Sequence, residues 1–452
     1  MNLADGIFLV IGSVFGSGIF LTTGIVAESL PSHGLIWTIW IVGGVMTILG
    51  ASAYAELGAM FPSSGGPYVY LREAYGKGAG FLYGWTFFWI IGGGGIAALA
   101  MGFAEYFGMV FPGLSPDRPL ARLGGIFVLS AGPAVAVAAI GVLTVLNYFG
   151  VEGGARFQDI MTVGRIAFLL AFIGLGFAFG KSSSASHALL SFPHGPWPAW
   201  TAFGTAFLAV VWTYDGWYAV NCAAEEMRNP SRTISRSLIL GTLSVTALYL
   251  MTNIIYSKAL SVDKMKGVVR IGWLAASEMF GLRAGQAFTA CVAATILGCL
   301  SANILFSPRV AFGLARDGLF FRGLSEVHPK YGVPSKAVLA QGLWAGFLCF
   351  SGTYRNLIEF VSLALVVFFV ATGGALFVLR RKAAARERPY RAWGYPVAPA
   401  LYVLANLAIL AAVVLSQFKS SLLCLGVILA GLPAFYFWSV KNRADQVRRG
   451  HR

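Results

Sequence analysis

Apolar runs long enough to cross a lipid bilayer recur along the whole 452-residue chain. A helix needs about 20 apolar residues to span the hydrocarbon core. Hydrophobic residues make up 57% of the sequence and charged residues 11%, which excludes an ordinary soluble chain. We predict an all-α membrane protein with twelve transmembrane helices, near residues 6–30, 35–61, 79–111, 124–146, 159–180, 200–223, 238–257, 286–313, 337–352, 356–379, 397–416 and 420–439.

Positive charge is concentrated in alternate loops between these runs. The formal net charge is +15, from 33 Lys and Arg against 18 Asp and Glu, a balance that by itself would also suit nucleic-acid binding. Most of the basic residues fall in segments that are cytoplasmic when the N-terminus lies inside, as the positive-inside rule requires. We therefore expect both termini in the cytoplasm and a location in the inner or plasma membrane. The expected partner is the lipid bilayer and not a nucleic acid.

Glycines interrupt the first run near its centre. Gly12, Gly16 and Gly18 fall close to the middle of the bilayer, where an open helix leaves backbone N–H and C=O groups unpaired at a large cost. A bound solute would satisfy those groups. The alternative is that Gly12 and Gly16 form a Gly-x-x-x-Gly face for helix packing.

A second interruption lies in the sixth run, where Asp215 and Gly216 follow Tyr214. An acidic side chain at that depth is costly, so either Asp215 pairs with a neighbour in a kinked helix or the helix opens at a binding site. Matching interruptions in two halves are typical of secondary transporters built from inverted repeats. We predict three units: a first repeat with helices 1–5 (residues 1–190), a second with helices 6–10 (residues 191–382), and helices 11–12 with a C-terminal tail (residues 383–452).

Motifs for other chemistries are missing from the sequence. Leu21 stands where the dinucleotide-binding fingerprint would need a glycine after Gly16 and Gly18, and no phosphate-binding loop with Gly-Lys-Ser/Thr occurs. The five histidines lie in loops and ends without an i, i+4 pair, which argues against a metal site. None lies in a predicted span to act as the base for a serine. We expect no enzymatic activity, no metal and no cofactor.

Several motifs together resemble those of one transporter family. They are Gly12–Phe20 in the first run, Tyr54–Gly58 and Pro62–Gly66 after the second, Tyr214–Trp217, Glu225–Glu226 and Asn229–Pro230 around the sixth, Ala315–Gly318 after the eighth, and Arg388–Arg391 with Gly394–Pro396 before the eleventh. In this combination and order the chain resembles the amino acid, polyamine and organocation transporter superfamily, most closely its L-type amino acid transporter branch and bacterial relatives. The resemblance implies a leucine-transporter-type fold. That fold is a 5+5 inverted repeat that holds the substrate between broken helices 1 and 6.

The resemblance also implies roles at the two interruptions. The family binds an amino acid by its backbone groups, so Ser17 and Gly18 are expected to bind the carboxylate, as the positive end of a helix dipole favours. Carbonyls at Val14 and in the Trp212–Tyr214 stretch would face the ammonium group, and Trp212 would close over the solute from outside. The predicted substrate site comprises Val14, Gly16, Ser17, Gly18, Trp212, Thr213, Tyr214, Asp215 and Gly216.

Two positions depart from the family pattern. The eukaryotic branch joins a glycoprotein heavy chain through a cysteine between helices 3 and 4, but residues 111–122 contain no cysteine, so we expect no disulfide-linked heavy chain. Arg165, a basic residue inside a predicted span, aligns with a lysine that stands in for sodium in relatives. Arginine keeps its proton at physiological pH. We predict that Arg165 fills this cation position, with carbonyls of Gly12–Phe15 and the Ser301 hydroxyl as acceptors.

The predicted function is a secondary transporter of neutral L-amino acids that works by alternating access as a sodium-independent exchanger or facilitator. Two alternatives keep this fold. One is a proton-coupled symporter with Asp215 or Glu105 as proton carrier, and the other is a transporter of cationic amino acids or polyamines that uses Asp215. Two further alternatives differ in class, namely a channel and a non-transporting amino acid sensor.

Overall fold

The computed structural model describes residues 2–62, 65–123, 127–149, 154–180, 196–222, 227 and 229–450. Within these ranges ten helices are long and apolar enough to cross a membrane, and a shorter apolar helix occupies Ala199–Tyr214. The ten are Leu3–Leu21, His33–Met60, Lys77–Val110, Ala131–Tyr148, Thr162–Phe179, Arg232–Ala259, Leu282–Arg316, Tyr354–Lys382, Val397–Ser416 and Phe418–Lys441. The chain is a mostly helical, multi-pass membrane protein.

The elements are numbered in chain order. The α-helices are α1 (Leu3–Val14), α2 (Gly18–Leu21), α3 (Thr23–Ser29), α4 (His33–Met60), α5 (Pro67–Tyr75), α6 (Lys77–Thr86), α7 (Gly93–Val110), α8 (Ala131–Tyr148), α9 (Gly154–Phe179), α10 (Pro196–Tyr214), α11 (Ala219–Cys222), α12 (Pro230–Ala259), α13 (Val262–Met265), α14 (Ile271–Phe280), α15 (Leu282–Phe306), α16 (Pro308–Arg316), α17 (Ser335–Leu348), α18 (Tyr354–Lys382), α19 (Val397–Ser416), α20 (Phe418–Leu429) and α21 (Gly431–Gly450). A π-helix spans Phe87–Gly92, and 3-10 helices span Pro112–Leu114 and Arg322–Ser325. Strands β1 (Pro119–Leu123) and β2 (Phe127–Ser130) form an antiparallel hairpin.

The first membrane helix is broken where the glycines predicted. It begins with a capping box in which Asn2 and Asp5 each accept a hydrogen bond from the other's backbone N–H, and α1 ends at Val14. Residues 15–17 lie outside any helix before α2 begins at Gly18. The structure therefore confirms the predicted break in the first membrane helix.

The sixth membrane helix is broken at its predicted position too. Helix α10 ends at Tyr214, residues 215–218 form a turn, and α11 begins at Ala219. Gly216 has a φ of +98°, in the left-handed region where other residues are strained. A glycine is required at this turn for that reason.

Helices that correspond in the two predicted halves pack against each other. The second packs on the seventh (α4 on α12), the third on the eighth (α7 on α15), and the fourth on the ninth (α8 on α17). The two broken helices lie between these pairs, because α1 packs on α12 and α3 on α10. This arrangement brings both breaks to the interior.

Two predicted spans differ from the helices observed. The fourth was expected to begin near residue 124, but the β1–β2 hairpin precedes α8, which begins at Ala131. The ninth, predicted over residues 337–352, is the 14-residue helix α17, about 21 Å long and shorter than the ~30 Å hydrocarbon core. Apolar composition alone predicted neither the later start of α8 nor the short length of α17.

Glu56, from the Tyr54–Gly58 motif, is fully buried near the end of α4. Its carboxylate accepts hydrogen bonds from Arg380 Nε at 2.8 Å, Arg380 Nη2 at 2.5 Å and the Ala392 backbone N–H at 2.7 Å. Arg388 Nε lies 3.6 Å from the same carboxylate. A bidentate arginine pair of this kind is strong and directional. The motif thus fixes the segment after α18 against α4.

Candidate functional site

The two helix breaks are in direct contact. A Cβ on Gly18 would lie 2.7 Å from Thr213 Oγ1 and 2.9 Å from Thr213 Cα, and a Cβ on Gly216 would lie 2.6 Å from the Ser13 carbonyl oxygen. Carbon atoms cannot approach so closely without displacing a neighbour. Glycine at these two positions therefore allows the backbones of the first and sixth membrane helices to touch.

Gly12 and Gly16 have different surroundings, although one interpretation of the sequence gave them a common packing face. A Cβ on Gly12 would lie 2.9 Å from Thr162 Cγ2, so Gly12 packs closely against α9. The nearest atom to a Cβ on Gly16 would be Cys299 Sγ at 3.6 Å, an ordinary contact. Close packing applies to Gly12, whereas Gly16 lies in the break itself.

Tyr249 on α12 joins the two breaks through their carbonyl groups. Its hydroxyl lies 2.9 Å from the Val14 carbonyl oxygen and 3.1 Å from the Thr213 carbonyl oxygen. Both carbonyls are released where a helix ends or opens and need a donor in an apolar interior. Val14 and Thr213, which were predicted to face a substrate ammonium group, have this hydroxyl as a partner.

Two more buried tyrosines hydrogen-bond the first membrane helix on the C-terminal side of its break. The Tyr256 hydroxyl donates to the Ile19 carbonyl at 3.2 Å, and the Tyr106 hydroxyl donates to the Phe20 carbonyl at 2.8 Å. Neither these residues nor Tyr249 was predicted from the sequence. The one signal for them is the requirement that carbonyls released at a predicted break find donors on other helices.

The N–H groups of the first break lack the partners that its carbonyls have. Those of Ser17, Gly18 and Ile19 donate to no acceptor within the described ranges. Ser17 is 1% exposed. Its hydroxyl neighbours that of Tyr354 but makes no hydrogen bond of normal geometry to any residue that the structure describes. Satisfied carbonyls beside unpaired donors give this break the polarity of an anion site.

Arg165 on α9 lies behind the first break and is 2% exposed. Its guanidinium donates to the Phe15 carbonyl at 3.3 Å, to Cys299 Sγ at 2.7 Å and to Thr162 Oγ1 at 2.7 Å. A buried charge requires partners of this kind. The sequence placed Arg165 beside the carbonyls of Gly12–Phe15, and the structure brings it to the last of these.

Helix α15 supplies Cys299 to this cluster, while Ser301 contacts a different helix. The Cys299 thiol lies 3.9 Å from the Phe15 carbonyl oxygen, besides its contact with Arg165. Ser301 Oγ lies 3.5 Å from Asn147 Nδ2. Residues two apart on a helix point in different directions, which explains why the hydroxyl expected from the sequence gives way to a thiol.

Trp212 lies near the C-terminal end of α10, beside α18 and α7. Its indole Nε1 donates to the Tyr354 hydroxyl at 3.1 Å, and its ring faces Gly95 on α7. Tyr354 begins α18 and neighbours Ser17. The structure thereby brings the predicted gate residue close to the unpaired donors of the first break.

Tyr214 and Asp215 point away from the first break. The Tyr214 hydroxyl donates to the Trp40 carbonyl at 3.2 Å. The Asp215 carboxylate contacts the Tyr218 hydroxyl and interacts electrostatically with Tyr54. Its Oδ1 atom is buried and has no hydrogen-bond partner within the ranges that the structure describes.

Metal-ligating side chains do not cluster at the breaks. In the part of the chain that is described, no group of three or more His, Cys, Asp or Glu side chains is arranged to hold a metal ion. The site consists of backbone groups, hydroxyls, one guanidinium and aromatic rings. Such groups bind and orient a polar solute and offer no obvious route to covalent chemistry.

Sequence comparison agrees with this geometry. The profile of the amino acid permease family matches residues 2–430. The chain belongs to the amino acid permease family. It is 30% identical to the serine/threonine exchanger SteT of Bacillus subtilis over 444 residues, which are 96% of each chain. It is 28% identical to the human b(0,+)-type amino acid transporter 1, covering 97% of this chain and 87% of that one, and 28% identical to the human Asc-type amino acid transporter 1, covering 98% and 83%. A permease of this family is a transporter and not an enzyme.

Proposed function

We propose that this permease moves neutral L-amino acids across the cell membrane by alternating access, without sodium, as an exchanger or facilitator. One observation carries the proposal. The broken helices meet at Tyr249, and the first break has N–H groups without acceptors beside carbonyls that have donors. An amino acid carries a carboxylate and an ammonium on one carbon, and the two breaks offer a matching pair of surfaces.

The carboxylate is assigned to Ser17, Gly18 and Ile19. Their three successive N–H groups have no acceptor in the described ranges, and hydrogen bonds to a charged acceptor are about twice as strong as neutral ones. The buried Ser17 hydroxyl adds a fourth donor. A substrate that lacks the carboxylate would leave all four unpaired, which costs about 1–3 kcal/mol for each buried group.

The substrate ammonium group is assigned to the carbonyl oxygens at the two breaks. Each carbonyl oxygen has two lone pairs, so Val14 and Thr213 can accept from a substrate ammonium in addition to Tyr249. Asp215 directly follows Tyr214. Its carboxylate points toward Tyr218, and its Oδ1 atom has no hydrogen-bond partner among the described residues, so it would add negative potential to this end of the site indirectly. The substrate would therefore lie across the contact between the two breaks.

Arg165 is proposed as a permanent occupant of the cation position. It donates to Phe15, Cys299 and Thr162, which belong to the first break, α15 and α9. A guanidinium does not leave and does not release its proton at physiological pH. Sodium-independent transport without proton flux through this residue follows from that chemistry.

The proposed topology is the 5+5 inverted repeat, with both termini cytoplasmic and no disulfide-linked heavy chain. The packing of the second helix on the seventh, the third on the eighth and the fourth on the ninth supports it, because contacts between equivalent helices are expected at the interface of two inverted repeats. The loop over residues 111–122, which has no cysteine, supports the absence of a heavy chain.

Reconstitution of the purified protein in liposomes tests the proposal. Uptake of radiolabelled neutral amino acids is measured with and without internal amino acid, sodium and a pH gradient. We expect saturable uptake that internal substrate accelerates and that sodium leaves unchanged. Sodium dependence, or accumulation driven by a pH gradient, would overturn the coupling mode. Conduction without saturation would indicate a channel, and binding without transport would indicate a sensor.

A second candidate substrate class is cationic amino acids. The buried, unpaired Oδ1 atom of Asp215 favours it, since a second positive charge on the substrate would pair with that oxygen. The same liposomes distinguish the two classes. Competition by lysine or arginine at concentrations similar to those of neutral amino acids would favour the cationic class, and competition by neutral amino acids alone would exclude it.

A further inference from the structure

The third membrane helix carries a π-helix followed directly by a run of glycines. The π-helix spans Phe87–Gly92, and Gly93, Gly94 and Gly95 come next. A π-helix releases carbonyls from their usual i→i−4 partners and is frequent at functional sites. Neither the helix breaks nor Arg165 accounts for this segment.

Helix α17 holds the π-helix in place from the side. Gln341 Nε2 donates to the Phe88 carbonyl at 3.0 Å, and Trp344 Nε1 donates to the Trp89 carbonyl at 2.9 Å. Gln341 is 1% exposed. A Cβ on Gly93 would lie 2.5 Å from Trp344 Cδ1, so Gly93 allows α17 to come close enough for both hydrogen bonds.

Gly95 differs from the glycines before it. A Cβ on Gly94 would lie 2.6 Å from Val361 Cγ2, as close packing requires. The nearest atoms to a Cβ on Gly95 would be Cζ3 and Cη2 of Trp212, at 3.9 and 4.0 Å. A side chain there would fit and would point at the Trp212 ring. Packing with neighbouring helices therefore does not require a glycine at position 95.

The same face of α7 continues along the candidate site. Gly102 is seven residues, or two turns, beyond Gly95. A Cβ on Gly102 would lie 2.9 Å from Leu21 Cδ1 and 3.2 Å from Tyr354 Cε2. This face thus runs from Trp212 past Tyr354 to the outer part of the first helix, alongside the unpaired donors of Ser17.

We propose that Gly95 determines the size of the substrate side chain, and that Gln341 and Trp344 position Gly95 for this role by holding the π-helix. The proposal rests on the proposed function, because it requires an amino acid whose carboxylate is bound at Ser17–Ile19. With the carboxylate held there, the substrate side chain extends toward α7 below Trp212. The missing side chain at position 95 leaves a Cβ-sized space beside the Trp212 ring, and the end of a leucine-like substrate side chain would occupy it.

The test compares small and large substrates in proteoliposomes. The kcat/KM values for serine and for leucine are measured for the native protein, Gly95→Ala and Gly95→Val. One methylene in an apolar pocket changes discrimination by about tenfold or more, so Gly95→Ala should lower the leucine-to-serine ratio by about tenfold and Gly95→Val further. A ratio is independent of how much folded protein each liposome carries.

Gly78→Ala is the matched control, because it makes the same change near the start of the same helix. A Cβ on Gly78 would lie 3.5 Å from Phe435, far from Trp212. We expect its leucine-to-serine ratio to equal that of the native protein. Equal ratios in native protein and both Gly95 variants would overturn the size filter. Failure of the native protein to carry any amino acid would instead overturn the proposed function.

The positioning role is tested with Gln341→Met, which keeps the side-chain length and removes the donor to Phe88. We expect the leucine-to-serine ratio to change in this variant, and the effects of Gln341→Met and Gly95→Ala to be non-additive in the double variant. Independent sites add within roughly 0.3–0.5 kcal/mol, about a factor of two. Additive effects, or an unchanged ratio in Gln341→Met, would overturn the positioning role of Gln341. The role of Gly95 itself is decided by the Gly95→Ala and Gly95→Val ratios.

Discussion

The two helix breaks that meet at the candidate site present different chemical groups. The first, at Phe15–Ser17, presents backbone: the N–H groups of Ser17, Gly18 and Ile19 have no acceptor among the described residues, and the carbonyls of Val14 and Phe15 have donors. The second, at Asp215–Tyr218, is surrounded by large and polar side chains. Backbone groups recognise what every amino acid shares, and side chains recognise what differs. The division suggests that variants of the first break affect all substrates, while variants near the second change selectivity.

The largest effect is expected for Gly18→Val. The valine Cβ must displace Thr213, which it would approach to 2.7–2.9 Å, and its methyl groups would cover the neighbouring N–H groups. Overpacking costs roughly 1–3 kcal/mol and lost donors roughly as much again, so uptake of every amino acid should fall by about two orders of magnitude or more. Gly141→Val is the matched control, since a Cβ at that position on α8 would meet nothing within 4 Å. Uptake by Gly18→Val at the rate of the native protein would contradict the carboxylate assignment. So would a decarboxylated analogue that competes with uptake as strongly as the amino acid it derives from.

Arg165→Met should lower the uptake of every amino acid by a similar factor. It leaves the Phe15 carbonyl and the Thr162 hydroxyl without their charged donor, and removing one partner of a buried charged group costs about 3–5 kcal/mol. Arg165→Lys should keep part of the activity. A buried lysine can lose its proton near neutral pH, so uptake by that variant should be highest at low pH and decline as pH rises. Sodium-dependent uptake by the native protein would contradict the role given to Arg165.

Tyr249→Phe tests the contact between the two breaks. The variant keeps the ring and removes the hydroxyl that reaches Val14 and Thr213, at a cost of about 1–3 kcal/mol. We expect kcat/KM for all amino acids to fall by about tenfold. Tyr75→Phe is the matched control, because the Tyr75 hydroxyl donates to the Ala371 carbonyl away from the site. Equal kinetics in the two variants would show that Tyr249 is not needed to hold the breaks together.

Asp215→Asn should have an effect no larger than that of Tyr249→Phe, and one that appears in KM and not in kcat. The carboxylate lies on the Tyr218 side of the sixth helix, so its influence on a substrate ammonium group is indirect. We expect KM for neutral amino acids to rise by about tenfold, or ~1.4 kcal/mol, with kcat little changed. Measured KM values for neutral and cationic amino acids check this. Unchanged KM for both classes would assign Asp215 a structural role.

The sequence predicted the positions of both breaks, because glycine and aspartate in an apolar run conflict with a regular membrane helix. It also placed Arg165 behind the first break. It did not predict Tyr249, Tyr256 or Tyr106, whose hydroxyls satisfy carbonyls far away in the chain. An isolated tyrosine in an apolar helix has no local pattern that indicates which carbonyl it reaches.

The other predictions depended on the direction in which each side chain points around its helix axis, which the sequence does not give. Cys299 and not Ser301 faces Arg165 from α15, and two residues along a helix are enough to change the direction of a side chain. Likewise the four consecutive glycines Gly92–Gly95 look alike in the sequence. Only the structure shows that Gly93 and Gly94 pack tightly and that Gly95 has room for an added Cβ.

The Tyr249 hydroxyl has one hydrogen and two carbonyl acceptors at similar distances, 2.9 and 3.1 Å. It can donate fully to only one of them at a time. In the proposed alternating-access cycle the first and sixth helices shift relative to each other, and the hydrogen can turn from one acceptor to the other, so that one of the two carbonyls keeps a hydrogen bond. The net value of such a bond is about 1 kcal/mol. The rotation of one hydroxyl thus keeps the number of carbonyls without a donor nearly constant while one break moves past the other, and with it the free-energy cost of unpaired polar groups.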